Sequence, residues 1–548
     1  MKTFKPYLLI LGALLLHSCA DYKFHYSRDA RGWESNTPPA GLTPAHSVFL
    51  VGDAGYLVDG KTSPALILLG EKLRQAGKNS TVVYLGDNIY PDGLEPKDSP
   101  GREADEARLK AQLDILKGYK GKVFFIVGNH DWYEHGLDGL DREKKFIEKY
   151  LDRDDVVLPK PGCGDPEEIE LTDNLTLILI DSQWYIENWD GHSEINDGCE
   201  VKSREVFREY VEEAIKGNRN KNMIIAMHHP PYTNGPHGGD FTLKQHLFPL
   251  TDLNDNLWIP LPILGSVVQF LRGTVGHPQD ASHPKYRELA NIVIGAARKN
   301  GRFFFASGHE HNLQYTEQDE QFFIVSGAGC KESPSRLGKG TEFAYGHLGF
   351  VQLDFYQDGS SWMQYWVPEG DGSTGQVVYR KQVKGPLPDI VEEVADDFPP
   401  IPDSVDMPIS QTDFKKGKLW SFFWGEHYRD VYNAVVKVPS LKLDEFKGGL
   451  KPEKRGGGYQ TNSLRFETED GKQYVVRSID KDPSRTLGYP FNESFVTEVV
   501  KDNFSASHPL SAIPAARLAE AVGIYYTDPK LVYLPAQKEL DIYNDEFA

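Results

Sequence analysis

SVFLVGDAG, residues 47–55, is a short apolar run that stops at a small residue and hands over to an aspartate, Asp53. Four other runs also end at donor side chains, three of them after a glycine: TVVYLGDNIY reaches Asp87 and Tyr90, KVFFIVGNHD reaches Asn129 and His130, NMIIAMHHP reaches His228, and RFFFASGHEH reaches His309 and His311. Each is rich in Val, Ile and Phe and bounded by Gly or Pro, which predicts a buried strand. In open α/β sheets, ligand-binding groups gather beyond the carboxyl ends of the strands. Five strands delivering Asp, Asp/Tyr, Asn, His and His-x-His to one edge predict a metal site, and with it an enzyme.

Two Asp, one Asn, one Tyr and three His make seven donors, too many for one tetrahedral zinc. A carboxylate can bridge two cations, as in two-metal hydrolytic sites. Phenolate and carboxylate suit trivalent iron; imidazole and carboxamide suit divalent iron, zinc or manganese. A single Gly-Asp after a strand is ordinarily a turn. Five such ends together are not.

The set resembles the calcineurin-like metallophosphoesterases and, within them, the purple (tartrate-resistant) acid phosphatases. Tyr90 in Gly86-Asp87-Asn88-Ile89-Tyr90 narrows the resemblance, as do GHEHNLQY (308–315) and FIVSGAG (323–329). It covers residues 46 to 355 and implies an α/β, four-layer fold, with two mixed β-sheets sandwiched between helices. It further implies Fe3+ on Asp53, Tyr90 and His311, and a divalent Fe, Zn or Mn on Asn129, His228 and His309, with Asp87 as the bridge. His130 matches a histidine that contacts phosphate and protonates the leaving group, and Asp131 is placed to fix its tautomer. His237, in PHGG, matches a further active-site histidine, while His229 sits where relatives often carry another residue. The implied activity is phosphomonoester hydrolysis by attack of a metal-bound hydroxide. A phosphodiesterase or nucleotide hydrolase on the same site is the alternative, and a non-catalytic surface binding protein the second.

Lys2 and Lys5 precede an apolar run from Leu8 to Leu16, followed by Ser18-Cys19. This is a signal peptide over residues 1–19, too short for a membrane span. Leu16-His17-Ser18-Cys19 resembles a bacterial lipobox, with His17 where a small residue is usual. The expectation is an exported lipoprotein anchored through Cys19, in the outer or cytoplasmic membrane, facing the periplasm or cell surface. Ordinary secretion is the alternative. Cys163 and Cys199 flank the strand in DNLTLILIDSQW and are able to pair in an oxidising compartment, leaving Cys330 as the odd thiol.

The chain has 548 residues, enough for more than one domain, and a formal net charge of −20. That charge argues against nucleic acid or an anionic membrane surface as partner, so a phosphoester, small or carried on a protein, must be drawn in by local cations. The domain reading is a tether over 20–45, a metallophosphoesterase domain over 46–380, a Pro- and acid-rich linker over 381–419, and a smaller C-terminal α+β domain over 420–548, with an incomplete domain at the front of a longer protein as the alternative. Between His228 and His309 lies a long insertion. Its stretch LWIPLPILGSVVQFL (257–271) is interrupted by prolines and a glycine and is read as buried core, with a lid over the active-site edge and a contact with the lipid surface as the alternatives; a helix follows over 284–299. A helix over 513–522 capped by Gly523 and a strand in YYTDPKLVYLP complete the C-terminal reading.

Overall fold

The computed structural model describes residues 20–38, 41, 43–252, 254, 256–386, 398–456, 461–481 and 495–547, so the leader and Cys19 lie outside it. Contacts divide the chain into two units, one through Pro388 and one from Asp389.

In the first unit the strands are β1 (His25–Tyr26), β2 (His46–Val51), β3 (Ser80–Leu85), β4 (Lys122–Ile126), β5 (Glu167–Thr172), β6 (Leu175–Ile180), β7 (Asn222–Met227), β8 (Phe304–Ser307), β9 (Leu313–Gln318), β10 (Gln321–Ser326), β11 (Thr341–Tyr345), β12 (Phe350–Phe355), β13 (Ser361–Glu369) and β14 (Thr374–Lys384). They form a six-stranded sheet, β14-β13-β12-β2-β3-β4, and an eight-stranded sheet, β1-β11-β9-β10-β8-β7-β6-β5. Both are mixed: β2, β3 and β4 are mutually parallel, as are β6, β7, β8 and β10, while the remaining pairs are antiparallel.

Alternating residues explain the layers, because successive side chains on a strand leave on opposite faces. Val48, Leu50, Val83 and Leu85 of one sheet share a core with Leu177, Leu179, Ile224 and Ala226 of the other. The intervening residues Phe49, Val51, Val82 and Tyr84 face out toward Leu66, Leu69, Leu109 and Leu113 of the helices Pro64–Ala76 and Arg102–Asp114. On the far side, Ile225 and Phe305 meet Phe207, Val211, Leu289 and Val293 of the helices Arg204–Gly217 and Pro284–Asn300. Each fully buried Val, Leu or Phe contributes about 2 kcal/mol, which makes this four-layer stack self-supporting. The helices begin where the sequence caps them. Ser63 Oγ accepts from Ala65 N at 3.2 Å ahead of Pro64, and Ser203 Oγ accepts from Val206 N at 3.3 Å.

Three expectations change here. The stretch expected as a tether belongs to the fold: β1 pairs with β11, and Asp21 bridges Ser335. The stretch expected as a linker begins inside β14, and its later part forms the strand Ser404–Pro408; residues 387–397 lie outside the described ones. Residues 257–271 are not core. They carry the helix Pro262–Thr274, whose large apolar side chains are exposed, because Pro262 starts the helix and does not break it. Cys163 and Cys199 form a disulfide, while Cys330 is free and buried.

In the second unit, β15 (Ser404–Pro408) pairs with β16 (Val435–Pro439), and β17 (Lys451–Gly456), β18 (Thr461–Glu467) and β19 (Gln473–Lys481) form an antiparallel sheet. Leu443, Leu464, Phe466 and Leu540 are its core, and Asp502 grips Arg429 through two hydrogen bonds of 2.9 and 2.7 Å. The helix Ala512–Ala521 ends at Gly523, with φ +71°. The strand expected in YYTDPKLVYLP is reduced to one bridge, Ser440 to Tyr533.

Candidate metal centre

β2, β3 and β4 of one sheet and β7 and β8 of the other end at the same rim. Backbone must come very close there. A Cβ on Gly86, which has φ +88°, would lie 2.6 Å from His228 Nδ1, and one on Gly308 would lie 2.6 Å from Asp53 Oδ2. This is the physical reason for the glycine that closes four of the five apolar runs, the run before His228 ending in Met227. Asp53, Asp87 and His309 themselves adopt left-handed backbone, with φ of 54°, 54° and 68°. Such conformations persist only where the surroundings over-determine them, and they cluster at functional sites.

The seven expected donors are brought together in two groups. In the first, Tyr90 Oη lies 2.9 Å from Asp53 Oδ1, 2.8 Å from Asp87 Oδ2 and 3.2 Å from His311 Nε2. In the second, Asn129 Oδ1 lies 3.0 Å from both His228 Nε2 and His309 Nδ1. Asp87 joins them, with Oδ2 in the first group and Oδ1 3.4 Å from His228 Nε2 in the second. Asp87 thus offers one oxygen to each group.

Proton bookkeeping tests whether cations fit. His228 Nδ1 donates to Leu85 O at 2.7 Å, and His309 Nε2 donates to Gln279 O at 2.8 Å. Each ring then turns a bare nitrogen inward, and those two nitrogens stand 3.3 Å apart. Asn129 Nδ2 donates to Tyr133 Oη at 2.9 Å, so its carbonyl oxygen also faces inward. Three lone pairs converge with no proton among them, and a carboxylate oxygen stands beside them. Such a cluster is repulsive unless a cation occupies it, and its chemistry fits a divalent metal. In the first group a single phenolic proton faces two carboxylates and an imidazole. Burial, then the neighbouring Asp87, raises the pKa of Asp53, while burial, then Asp53 and Asp87, raises that of Tyr90. A cation would reverse both. Burial lowers the pKa of His228, His309 and His311, keeping them neutral, as ligands must be.

The histidines around this pair differ in their engagement. His130 Nδ1 donates to Pro91 O at 2.5 Å, and its ring lies 4.4 Å from Tyr90 and 4.9 Å from Tyr133, leaving Nε2 available at the mouth. The expected role of Asp131 is corrected. Its carboxylate accepts from Gly128 N at 2.7 Å and Ile89 N at 3.1 Å, so it ties the two ligand loops together, and Pro91 sets the His130 tautomer. The His237 ring lies 4.1 Å from that of His309, tilted by 34°, and is held by Asp280 Oδ1 at 3.0 Å. Burial opposes its charged form, but Asp280 and Glu310 outweigh that and raise its pKa. His229 is buried, with Nδ1 on Ser182 Oγ at 2.8 Å and Nε2 on Gln279 Oε1 at 2.6 Å, so neither nitrogen is spare.

Sequence reasoning missed Lys331, whose Nζ lies 3.2 Å from the centre of the Tyr90 ring and supplies positive charge beside this acidic site. It also missed Gln279 and Asp280, which come from the insertion and whose role has no local pattern. Cys330 donates its thiol to Asp53 O at 2.8 Å, and burial raises its pKa, so it is a packing residue.

Residues 46–258 match the model of the calcineurin-like phosphoesterase family. The chain therefore carries a metallophosphoesterase domain, a hydrolase acting on phosphoric esters with candidate metal-binding groups in place. Within that class it resembles the purple acid phosphatases: purple acid phosphatase 17 of Arabidopsis thaliana is 22% identical over 335 residues, covering 59% of this chain and 78% of the relative. Among solved structures, GAP50, the anchor in the inner membrane complex of Plasmodium, matches 62% of this chain and 89% of its own at 12% identity and a TM-score of 0.35.

Proposed function

We propose that this chain is an exported, lipid-anchored binuclear metallophosphoesterase that hydrolyses phosphomonoesters. The observation that carries the reading is the divided Asp87 carboxylate, one oxygen in each of two donor groups. On this reading Asp53, Tyr90 and His311 would hold Fe3+, and Asn129, His228 and His309 would hold a divalent Fe, Zn or Mn, with Asp87 common to both donor groups. Such a pair supplies Lewis acidity to phosphoryl oxygens and lowers the pKa of water toward neutrality. The remaining work falls to the chain. His130, fixed through Nδ1 by Pro91, presents Nε2 to the leaving oxygen and, in its doubly protonated imidazolium form, delivers the Nε2 proton there. His237, steadied by Asp280, and Lys331 place positive charge at the mouth, offsetting the acidic field of the whole molecule for an incoming phosphate.

The likeness to an acid phosphatase favours monoesters. The leader and Cys19, together with the disulfide, support export and anchoring. The test is one preparation of the iron-loaded, oxidised chain, assayed with paired aryl monoester and diester substrates and by visible spectroscopy. The expected result is a monoester preference and a phenolate-to-iron band that Tyr90→Phe removes. A diester preference moves the substrate class and leaves the metal pair standing; a colourless, fully active zinc or manganese enzyme refutes the ferric assignment.

A further inference from the structure

The helix Pro262–Thr274 is built inside out. Its inward positions are small or polar: a Cβ on Gly265 would lie 2.3 Å from His246 O, and Gln269 is 4% exposed. Its outward positions are large and apolar, with Ile263 82% and Phe270 67% exposed, joined by Leu264, Val267, Leu271 and, just before the helix, Trp258. From Leu257 to Leu271 no residue carries charge. The first charged residue after them, Arg272, is turned back to Asp280, with Nη2 2.9 Å from Oδ1. A contiguous apolar face of this kind marks an interaction surface.

The course of the N-terminal chain indicates what covers it. Ala20, the residue after Cys19, donates its N–H to Phe241 O at 3.2 Å. The Phe241 ring lies 5.3 Å from the guanidinium of Arg272, and a Cβ on Gly239 would lie 3.0 Å from Gly273 Cα. The chain therefore enters the fold beside the C-terminal end of this helix. Among the described residues, no helix is long and apolar enough to cross a membrane. A short helix with an apolar outer face suits the plane of the lipid interface, and Trp258, with Lys244 Nζ 5.0 Å from its ring, is the aromatic and basic pairing such an interface favours.

We propose that the outward face of residues 257–271 seats in a lipid bilayer, so that the protein holds its membrane by two signals, an acyl chain at Cys19 and this helix. The first signal, and the choice of lipid as what covers the helix, rest on the lipid-anchor reading above; the exposed apolar face itself does not.

The experiment uses the full chain carrying Cys19→Ala, which has no acylation site, and phosphatidylcholine vesicles. The expected result is flotation with the vesicles and slowed hydrogen exchange over residues 262–275. Adding Ile263→Asp and Phe270→Asp should lower the bound fraction at least about tenfold with the circular dichroism spectrum unchanged. No flotation of the Cys19→Ala chain, or equal flotation with and without the aspartates, overturns the proposal. So does a concentration-dependent dimer that the aspartates dissociate in the absence of vesicle binding, which would assign the face to a second copy. Acyl labelling of the wild-type chain is read separately. Unlabelled Cys19 would refute the anchor while vesicle binding of the helix still stands.

Discussion

The strand-end rim and the insertion that crosses it depart from the ordinary partition of residues in opposite senses. At the rim, carboxylates, imidazoles and a phenol are buried; in the insertion, Ile, Leu, Val and Phe are exposed. Buried polar groups and exposed apolar patches are the two informative exceptions to the inside–outside rule, and each needs an outside agent to make it stable. For the rim that agent is a pair of cations. For the insertion it is an apolar phase. The two meet at Asp280, which accepts from Arg272 of the apolar helix and from His237 beside the site.

The largest effect is expected where the rim depends most on its cations. Asp87→Ala removes an oxygen from both donor groups at once. Metal analysis should show loss of at least one ion, and turnover should fall by about a thousandfold or more, since charge stabilisation at phosphorus goes with it. Full occupancy and unchanged activity would make the rim an ordinary buried polar cluster.

Gly86→Ala comes next. Its Cβ would enter left-handed backbone and sit 2.6 Å from His228 Nδ1. A cost of about 1–3 kcal/mol in stability is expected, read by denaturant unfolding, together with weakened metal binding on the His228 side. The same substitution at Gly295, where a Cβ meets nothing within 4 Å, should cost nothing measurable and so separates close approach from glycine content.

Asp131→Asn separates loop tying from catalysis. The amide nitrogen would face backbone N–H groups of Gly128 or Ile89, at a cost of about 1–3 kcal/mol. Because Pro91 holds the His130 proton, the pH–rate profile of whatever activity remains should not move. A shifted profile would restore Asp131 as the orienting partner of His130.

A pH dependence is expected far from the rim, away from the chemistry. Burial, then Lys122, lowers the pKa of His46 to about 4 from 6.5. The unfolded chain then binds more protons between those values, so stability rises with pH through that window. The contribution of neutral His46 is fully present above pH 6.5 and is lost as pH falls toward 4. His46→Gln, which can keep the hydrogen bond to Thr81, should flatten stability across this window in thermal unfolding.

The rim was legible in the sequence because its physics is local. A fully buried parallel strand must be an unbroken apolar run, and a close approach at its end demands a small residue before the ligand, so VGD, LGD, VGN and SGH announce their own geometry. The two sheets and the seven donors follow from that pattern. What the sequence withheld depends on direction and partners. Nothing adjacent to Asp131 says that its carboxylate turns to Gly128 and Ile89, away from His130. The apolar stretch at 257–271 reads as core because composition does not reveal which side of a helix meets the protein; Gly265 and Gln269 do so only once the fold is known. Tyr533 sits in a β-rich run that forms a single bridge, because its neighbours find no partner strand among the described residues.

Anomalous scattering from crystals of the metal-loaded wild-type chain tests the central claim most directly. The account predicts two peaks on either side of the Asp87 carboxylate, one among Asp53, Tyr90 and His311 and the other among Asn129, His228 and His309. A single peak, or density centred on His229, would contradict it.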